Sequence, residues 1–363
     1  MRDLRIKDIC SKGSSSLKQK DVENHAGKYP VYGASGIVGY RDRYDQEKPY
    51  IGLVKDGSGI GRVMFLPEKS SIIGTLQYIL PRPGFDINYI GYCLLSLGLS
   101  SYKQGAAIPH IYFRDYGERI IRVEESIEAQ QKIVDHLNMA FAKVDALCEN
   151  ASKARIEAMQ CYLTAIDTFL APSASWKHYQ MTDICEITSS LVNPMEHKYQ
   201  QLIHVGGANI VSQTGELINL KTAQEEGLIS GKYLFDDTMV IYSKLRPNLM
   251  KVARPDFVGL CSADMYPLKP KKVITKDYLY YLLLTGRFTS FAVKGSSRAG
   301  MPKVNRDYLF SYSDYLPPIN VQKEIVEKLD SVQQKCFELE DNYKQVNEEC
   351  SVLKQSILRD YFE

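Results

Sequence analysis

At 363 residues, 44% hydrophobic and 24% charged, the chain has room for two globular domains and does not have the composition of a disordered protein. No apolar run reaches the length of a membrane span and the opening MRDLRIKD is unlike a signal peptide. The eight cysteines (10, 93, 148, 161, 185, 261, 336, 350) form no CxxC pair and no zinc-ligand spacing with histidine, which points to reduced thiols in a cytoplasm and away from a metal site. The net charge of +2 conceals an alternation: Lys+Arg against Asp+Glu run 18 to 12 over residues 1–123, 4 to 8 over 124–171, 17 to 13 over 172–318 and 6 to 10 over 319–363. Two basic regions suited to a polyanion thus alternate with two acidic stretches that a polyanion would repel, although imbalances this small also fit an ordinary solvated surface.

Taken in order, residues 1–123 contain IKDIC (6–10), YPVYGASGIV (29–38), VKDGSGIGRV (54–63), the short helix pattern DINYIGYCLLS and the loop AIPHIYFRDY (107–116). The periodic stretch from IEAQQKIVDHL (127–137) follows, and APSAS (171–175) halts it at Pro172. Residues 172–318 then repeat the first series in diverged form. MTDIC (181–185), QLIHVGGANIV (201–211, one residue longer), SKLRPNLMKV (243–252), TKDYLYYLLLT and GMPKVNRDY (300–308) match those segments in turn. Lys55 matches Lys244 and Arg62 matches Lys251 at equal separation. Alternating segments such as TMVIYSKL read as strands bounded by Gly, Pro and Asn turns. INVQKEIVEKL (319–329) then repeats IEAQQKIVDHL, and from Gln130 and Gln322 the copies run without a gap at a constant offset of 192.

Both periodic stretches carry apolar or small residues on a 4-3-4-3 spacing. Ile133, Leu137, Val144 and Leu147 lie on the first, and Ile325, Leu329, Val332, Leu339, Leu353 and Ile357 on the second. Sustained heptads predict coiled-coil helices of about 60 Å. The expected fold is α+β: mixed α and β domains at 1–123 and 172–318, and long helices at 124–171 and 319–363 pairing as an antiparallel coiled coil with a pseudo-two-fold repeat. Two different domains on such a rod suit two unlike half-sites of a DNA duplex separated by an unread spacer.

The chain resembles the specificity subunits of Type I restriction-modification systems, which share this domain–helix–domain–helix order. YPVYGASGIVGYRDRY, YIGLVKDGSGIGRV and IIGTLQYIL are similar to one class of recognition domain. GKYLFDDTMVIYSKLRPNLMKV, FVGLCSADMYPLKP and SSRAGMPKVNRDYL are similar to another. LPPINVQKEIVEKL matches the family's helix start, whereas RVEESIEAQQKIV lacks the Pro pair. The resemblance implies a non-catalytic DNA-binding subunit that carries two methyltransferase subunits and, with restriction subunits, directs cleavage. The alternative is the specificity subunit of a Type IIB-like enzyme whose partner fuses methylation and cleavage. S-adenosylmethionine, ATP and Mg would belong to the partners. In agreement, LPPI has the wrong flanking residues for a base-flipping methyltransferase tetrapeptide, KDGSGIG lacks the Gly-Lys-Ser/Thr of a P-loop, and GASGIVG is not a dinucleotide fingerprint.

For DNA contact, the matching strand–loop positions nominate Lys55, Arg62, Lys244, Arg246 and Lys251 for phosphates or guanine edges. Ser58, Thr75, Gln77, Asn248, Ser262 and Asp264 are candidate base readers, and Tyr78 and Tyr112 could stack on bases. The basic loops before each helix add Lys103, Gln104, His110, Arg114, Lys294, Ser297, Arg298, Lys303 and Asn305. Each of these is equally compatible with a solvated or capping role.

Overall fold

The computed structural model describes residues 1–363 apart from 24, 58, 106–108 and 297–301. The chain divides into two compact units, Met1–Ala151 with Lys344–Glu363, and Ser152–Tyr343. The division cuts each long helix near its middle. Each unit owns the first half of one helix and the last half of the other.

In the first unit, Arg2–Arg5 pairs antiparallel with Ile120–Val123, closing the domain just before its helix. A four-stranded antiparallel sheet runs in the order Cys10–Ser14, Leu76–Pro81, Tyr50–Val54, Val63–Leu66. Tyr50–Val54 is buried at every position, which is why YIGLV reads as a continuous apolar run instead of an alternating one. A smaller sheet joins Gly36–Arg41, Tyr29–Gly33 and Ser71–Ile72. The helix Ile87–Ser96 starts at Asp86, whose carboxylate accepts from the amides of Asn88 and Tyr89.

The second unit repeats this plan. Lys177–Gln180 pairs with Ser313–Leu316, and the four-stranded order becomes Cys185–Glu186, Met265–Pro270, Val240–Ser243, Val252–Ala253. Its other sheet is larger, with five strands centred on Lys232–Phe235, Gly259–Cys261 and Ile203–Val205. Thr275 caps Lys276–Leu284 as Asp86 caps its counterpart, and an additional helix, Gly286–Ser296, follows. The mixed α and β domains and the internal repeat are as the sequence predicts.

The long helices are Ile127–Phe169 and Ile319–Phe362. They run antiparallel within each unit. In the first, Cys350 donates to the Val144 carbonyl at 3.7 Å and Lys354 pairs with Asp145. In the second, Cys336 donates to the Ala158 carbonyl at 3.3 Å and Arg155 pairs with Glu340 at 3.2 Å. Ile133, Leu137, Val144, Ile325 and Leu329 are buried, and Val332 and Ile357 pack against the cores.

Three positions of the predicted stripe face outward, however. Leu147, Leu339 and Leu353 are 56%, 37% and 45% exposed. The seam keeps the seven-residue positions Leu137, Val144, Leu329, Cys336 and Cys350. Between them it uses the residue one place further on: Phe141, Cys148, Arg155 and Tyr162 on one helix, Gln333, Glu340 and Lys354 on the other. A count of apolar residues misses this phase because long polar side chains line the seam, where their stems cover apolar surface and their heads pair across it.

Each helix is seated by the same device. Gln130 is fully buried; its amide donates to the carbonyls of Gly84 and Glu124 at 3.1 and 3.0 Å, and its oxygen accepts from the Asp86 amide at 2.8 Å. Gln322, also fully buried, does the same with Val273, Pro317 and Thr275 at 2.8, 3.0 and 2.9 Å. The repeated passage therefore repeats because each domain–helix junction needs this clamp.

Candidate nucleic-acid interface

The segments nominated by sequence converge on one loop edge in each unit, through the same backbone bonds. In the first, Val54 donates to Arg62 (3.0 Å), Lys55 to Thr75 (3.0 Å), Gly57 to Pro109 (3.3 Å) and Ile111 to Lys55 (3.0 Å). In the second, Ser243 donates to Lys251 (3.0 Å), Lys244 to Asp264 (3.1 Å), Arg246 to Pro302 (2.9 Å) and Val304 to Lys244 (2.9 Å). Isolated bridges Asp56–His110 and Leu245–Lys303 complete the match.

The glycine-rich KDGSGIG owes its composition to this loop shape. Gly57 and Gly61 have φ of 89° and 83°, and the matching residues Arg246 and Met250 have φ of 47° and 50°. The left-handed conformation is natural for glycine and strained for the other two. At Gly61 a Cβ would also meet the Ser100 amide nitrogen at 2.6 Å. The loop is a shared backbone form that the second unit reaches without glycine.

Side chains on the two edges differ. In the first unit Lys55 lies 3.6 Å from Asp56, whose carboxylate also pairs with His110. The exposed Tyr112 ring sits between the His110 ring, at 4.2 Å, and the Arg114 guanidinium, at 4.5 Å. Lys103 and Thr75 are exposed, and Gln104 bonds Asp115 at 3.0 Å. In the second unit Arg246, Asn248 and Lys303 are exposed. Lys294 is exposed on Gly286–Ser296, the helix that packs against the Pro247–Leu249 turn. Ser262 and Asp264 are half-buried, the Ser262 hydroxyl accepting from the Asp264 amide at 3.3 Å.

Lys244 is largely buried; its ammonium bonds the Ala263 carbonyl and lies 3.7 Å from Asp264. Burial first, and the neighbouring Lys303 charge second, pull its pKa below the usual lysine value.

Two further nominations are placed away from the exposed edge. Gln77 is buried and donates to the Tyr116 hydroxyl at 2.7 Å. Tyr78 is buried, its hydroxyl donating to Asp45 at 3.2 Å and accepting from the Ile72 amide at 3.1 Å. Both lie on Leu76–Pro81, whose first four residues are buried, so neither presents polar atoms outward. Asn305 caps Arg306–Phe310 by accepting from the Tyr308 amide at 2.8 Å. Ser58, Ser297 and Arg298 fall outside the described residues.

The sequence reading passed over one contact. Arg62 donates to the Ala34 carbonyl at 2.6 Å, and Lys251 donates to the Gly207 carbonyl. Ala34 and Gly207 match in YPVYGASGIV and QLIHVGGANIV once the extra residue is allowed, so the signal was present in that gapped pairing.

Two copies of one mixed domain, each clamped to a long helix and each presenting a loop edge that carries exposed cations, define a tandem-repeat binding scaffold. The chain belongs to the Type I restriction modification DNA specificity domain family, whose model matches residues 1–158 and 174–348. It is 34% identical over 188 residues to the Type I restriction enzyme EcoDI specificity subunit of Escherichia coli, a match covering 52% of this chain and 41% of that protein. The chain thus spans about two fifths of the length of the curated relative it matches.

Among solved structures it is similar to a chain from work on complex assembly and conformational transition of the type I R-M system. That likeness has a TM-score of 0.71 and 14% identity, over 99% of this chain and 97% of that one. It is also similar to the HsdS subunit from Thermoanaerobacter tengcongensis, with a TM-score of 0.52 and 14% identity over 99% and 96%. At these identities the likeness is one of fold.

Proposed function

We propose that this protein is the non-catalytic DNA-recognition subunit of a Type I restriction-modification complex in the cytoplasm, reading an asymmetric bipartite duplex with one domain per half-site. The observation that carries the reading is the loop edge: two units hold it with the same backbone bonds yet fill it with different side chains. Shared support with divergent surface is what reading two different words requires, because phosphate contacts position a protein while side chains at base edges specify the sequence. Arg246, Asn248, Lys294 and Lys303 in one unit, and Arg62, Thr75, Lys103, Gln104, Tyr112 and Arg114 in the other, are the exposed nominees. The long helices supply the platform for methyltransferase and restriction subunits. The outward Leu147, Leu339 and Leu353 are apolar surface for such partners to cover. S-adenosylmethionine, ATP and Mg act in those partners.

Methylome sequencing of cells with and without the gene tests this. Loss of one bipartite N6-methyladenine motif is the expected result; an unchanged methylome with an intact, expressed partner overturns it. Arg246→Ala weakens specific binding by about 1–3 kcal/mol if the guanidinium is bidentate to a base. An equal loss on random DNA assigns it to phosphate.

A further inference from the structure

The tether between a loop cation and the neighbouring turn occurs independently in both units. In the first, Gly33 and Gly36 face each other across a two-residue turn whose tip is Ala34 and Ser35, with Ser35 exposed. Gly36 has φ of 120°, and a Cβ on Gly33 would meet the Val38 side chain at 2.7 Å, so the turn's shape depends on both glycines. Arg62 reaches across from the opposite loop to the Ala34 carbonyl. A Cβ on Gly59 would lie 3.7 Å from the Ala34 Cβ and 3.8 Å from the Arg62 guanidinium carbon, which places loop, cation and turn in one cluster.

In the second unit Lys251 reaches the Gly207 carbonyl, while the buried Asn209 side chain braces the same turn. It accepts from the Gly206 amide at 2.9 Å and donates to the Ile218 and Asn219 carbonyls at 3.1 Å each. Arginine in one copy and lysine in the other share reach, charge and a donor. They do not share the planar fork that reads guanine bidentately. What both copies preserve is the hold on the turn.

We propose that Arg62 and Lys251 are positioning residues that fix the Gly33–Gly36 turn and the 206–209 turn at the DNA-facing edge, and that Ser35, carried at the tip of the first turn, is a specificity-determining contact. This rests on the DNA-recognition reading. Ser35 contributes a hydroxyl, able to donate or accept; the second turn's exposed tip, Gly207 and Ala208, has no polar side chain, so the two turns differ in what they can read.

The test is selection from a randomised duplex library by the full chain in its methyltransferase complex, with thermal unfolding as a folding check. Arg62→Met and Ser35→Ala should blur the same base pair of one half-site, each by about tenfold in preference, with the double variant no worse than either single. Arg62→Lys should retain the preference. Lys251→Met should act on the other half-site only, with Lys251→Arg retaining it. The proposal is overturned if Arg62→Lys is as damaging as Arg62→Met at one base pair, which would make Arg62 itself a reader. It is equally overturned if Ser35→Ala leaves the motif unchanged. If Arg62→Met does not fold, the exposed Ser35→Ala and the conservative Arg62→Lys still decide the matter. A wild-type complex that enriches no motif refutes the DNA reading instead and is distinguishable from both.

Discussion

The seat of the helices is filled by aromatic rings in the first unit and by charge in the second. Phe65 lies 5.8 Å from Tyr92, which meets Phe141 edge-on at 5.5 Å. At the matching positions of the second unit stand Arg254, Tyr281 and Gln333. Arg254 pairs with Asp277 at 2.8 Å and Asp330 at 2.6 Å and stacks over Tyr280 and Tyr281. The Gln333 amide nitrogen lies within hydrogen-bond distance of the Tyr162 hydroxyl, the Tyr280 hydroxyl and the Thr214 carbonyl, at 2.9, 2.8 and 2.9 Å. One tyrosine survives in both roles: Tyr92 donates to Asn138 at 2.5 Å and Tyr281 to Asp330 at 2.6 Å. The difference shows that the repeat preserves backbone support and leaves the filling free to diverge, provided each polar group finds a partner.

The largest expected effect falls on what the units share. Gln130→Leu and Gln322→Leu each remove the partner of one backbone amide and two carbonyls at a fully buried side chain, and should cost about 2–4 kcal/mol in urea unfolding. The two losses should be alike, and a gap of more than about 1 kcal/mol would break the equivalence of the junctions. Next comes the contrast itself. Arg254→Met removes the charged donor shared by Asp277, Asp330 and the Gln333 oxygen and should cost about 2–3 kcal/mol, whereas Phe65→Ala, at a half-exposed ring, should cost about 1 kcal/mol. Equal losses would mean that the charged seat is no more demanding than the aromatic one.

Met250→Gly should raise stability by about 0.5–1 kcal/mol by relieving a left-handed residue, making the second loop resemble the first. Unchanged or lower stability would show that the Met250 side chain repays the strain.

The smallest effect is a pH dependence confined to the second unit. Burial, opposed by the Glu226 hydrogen bond, lowers the pKa of His204 below its ordinary 6.5. Because the unfolded chain then binds the proton more readily, the histidine's contribution is intact above about pH 6.5 and is lost as pH falls toward the lowered native value. Thermal midpoints of His204→Gln should be flatter across that window than those of the parent; parallel curves would contradict the assignment.

Much of this was legible in the sequence. The offset of 192 locates both glutamine clamps, and the paired segments name the loops that meet at each edge. Periodicity, by contrast, gave the helices but misplaced three residues of their seam, because Leu147, Leu339 and Leu353 score as core while Arg155 and Glu340 do not. Nor could pattern separate Gln77 from Thr75, two residues apart on one segment: Thr75 lies just before the strand Leu76–Pro81 and is exposed, whereas Gln77 lies within it, buried and donating to Tyr116. Local capping by Asn305 was likewise indistinguishable from a base-reading amide until the helix behind it was seen.

The crossed ownership of the helices sets an order of completion during synthesis. Leu358 and Phe362 belong to the core of the first unit, with Phe362 packed 5.3 Å from Tyr89. Everything the second unit contains lies within 152–343. As the chain emerges from the ribosome, the domain begun second is therefore the first to have all its parts. The one begun first must wait, partly built, for the last-made turns of a helix that started on its neighbour.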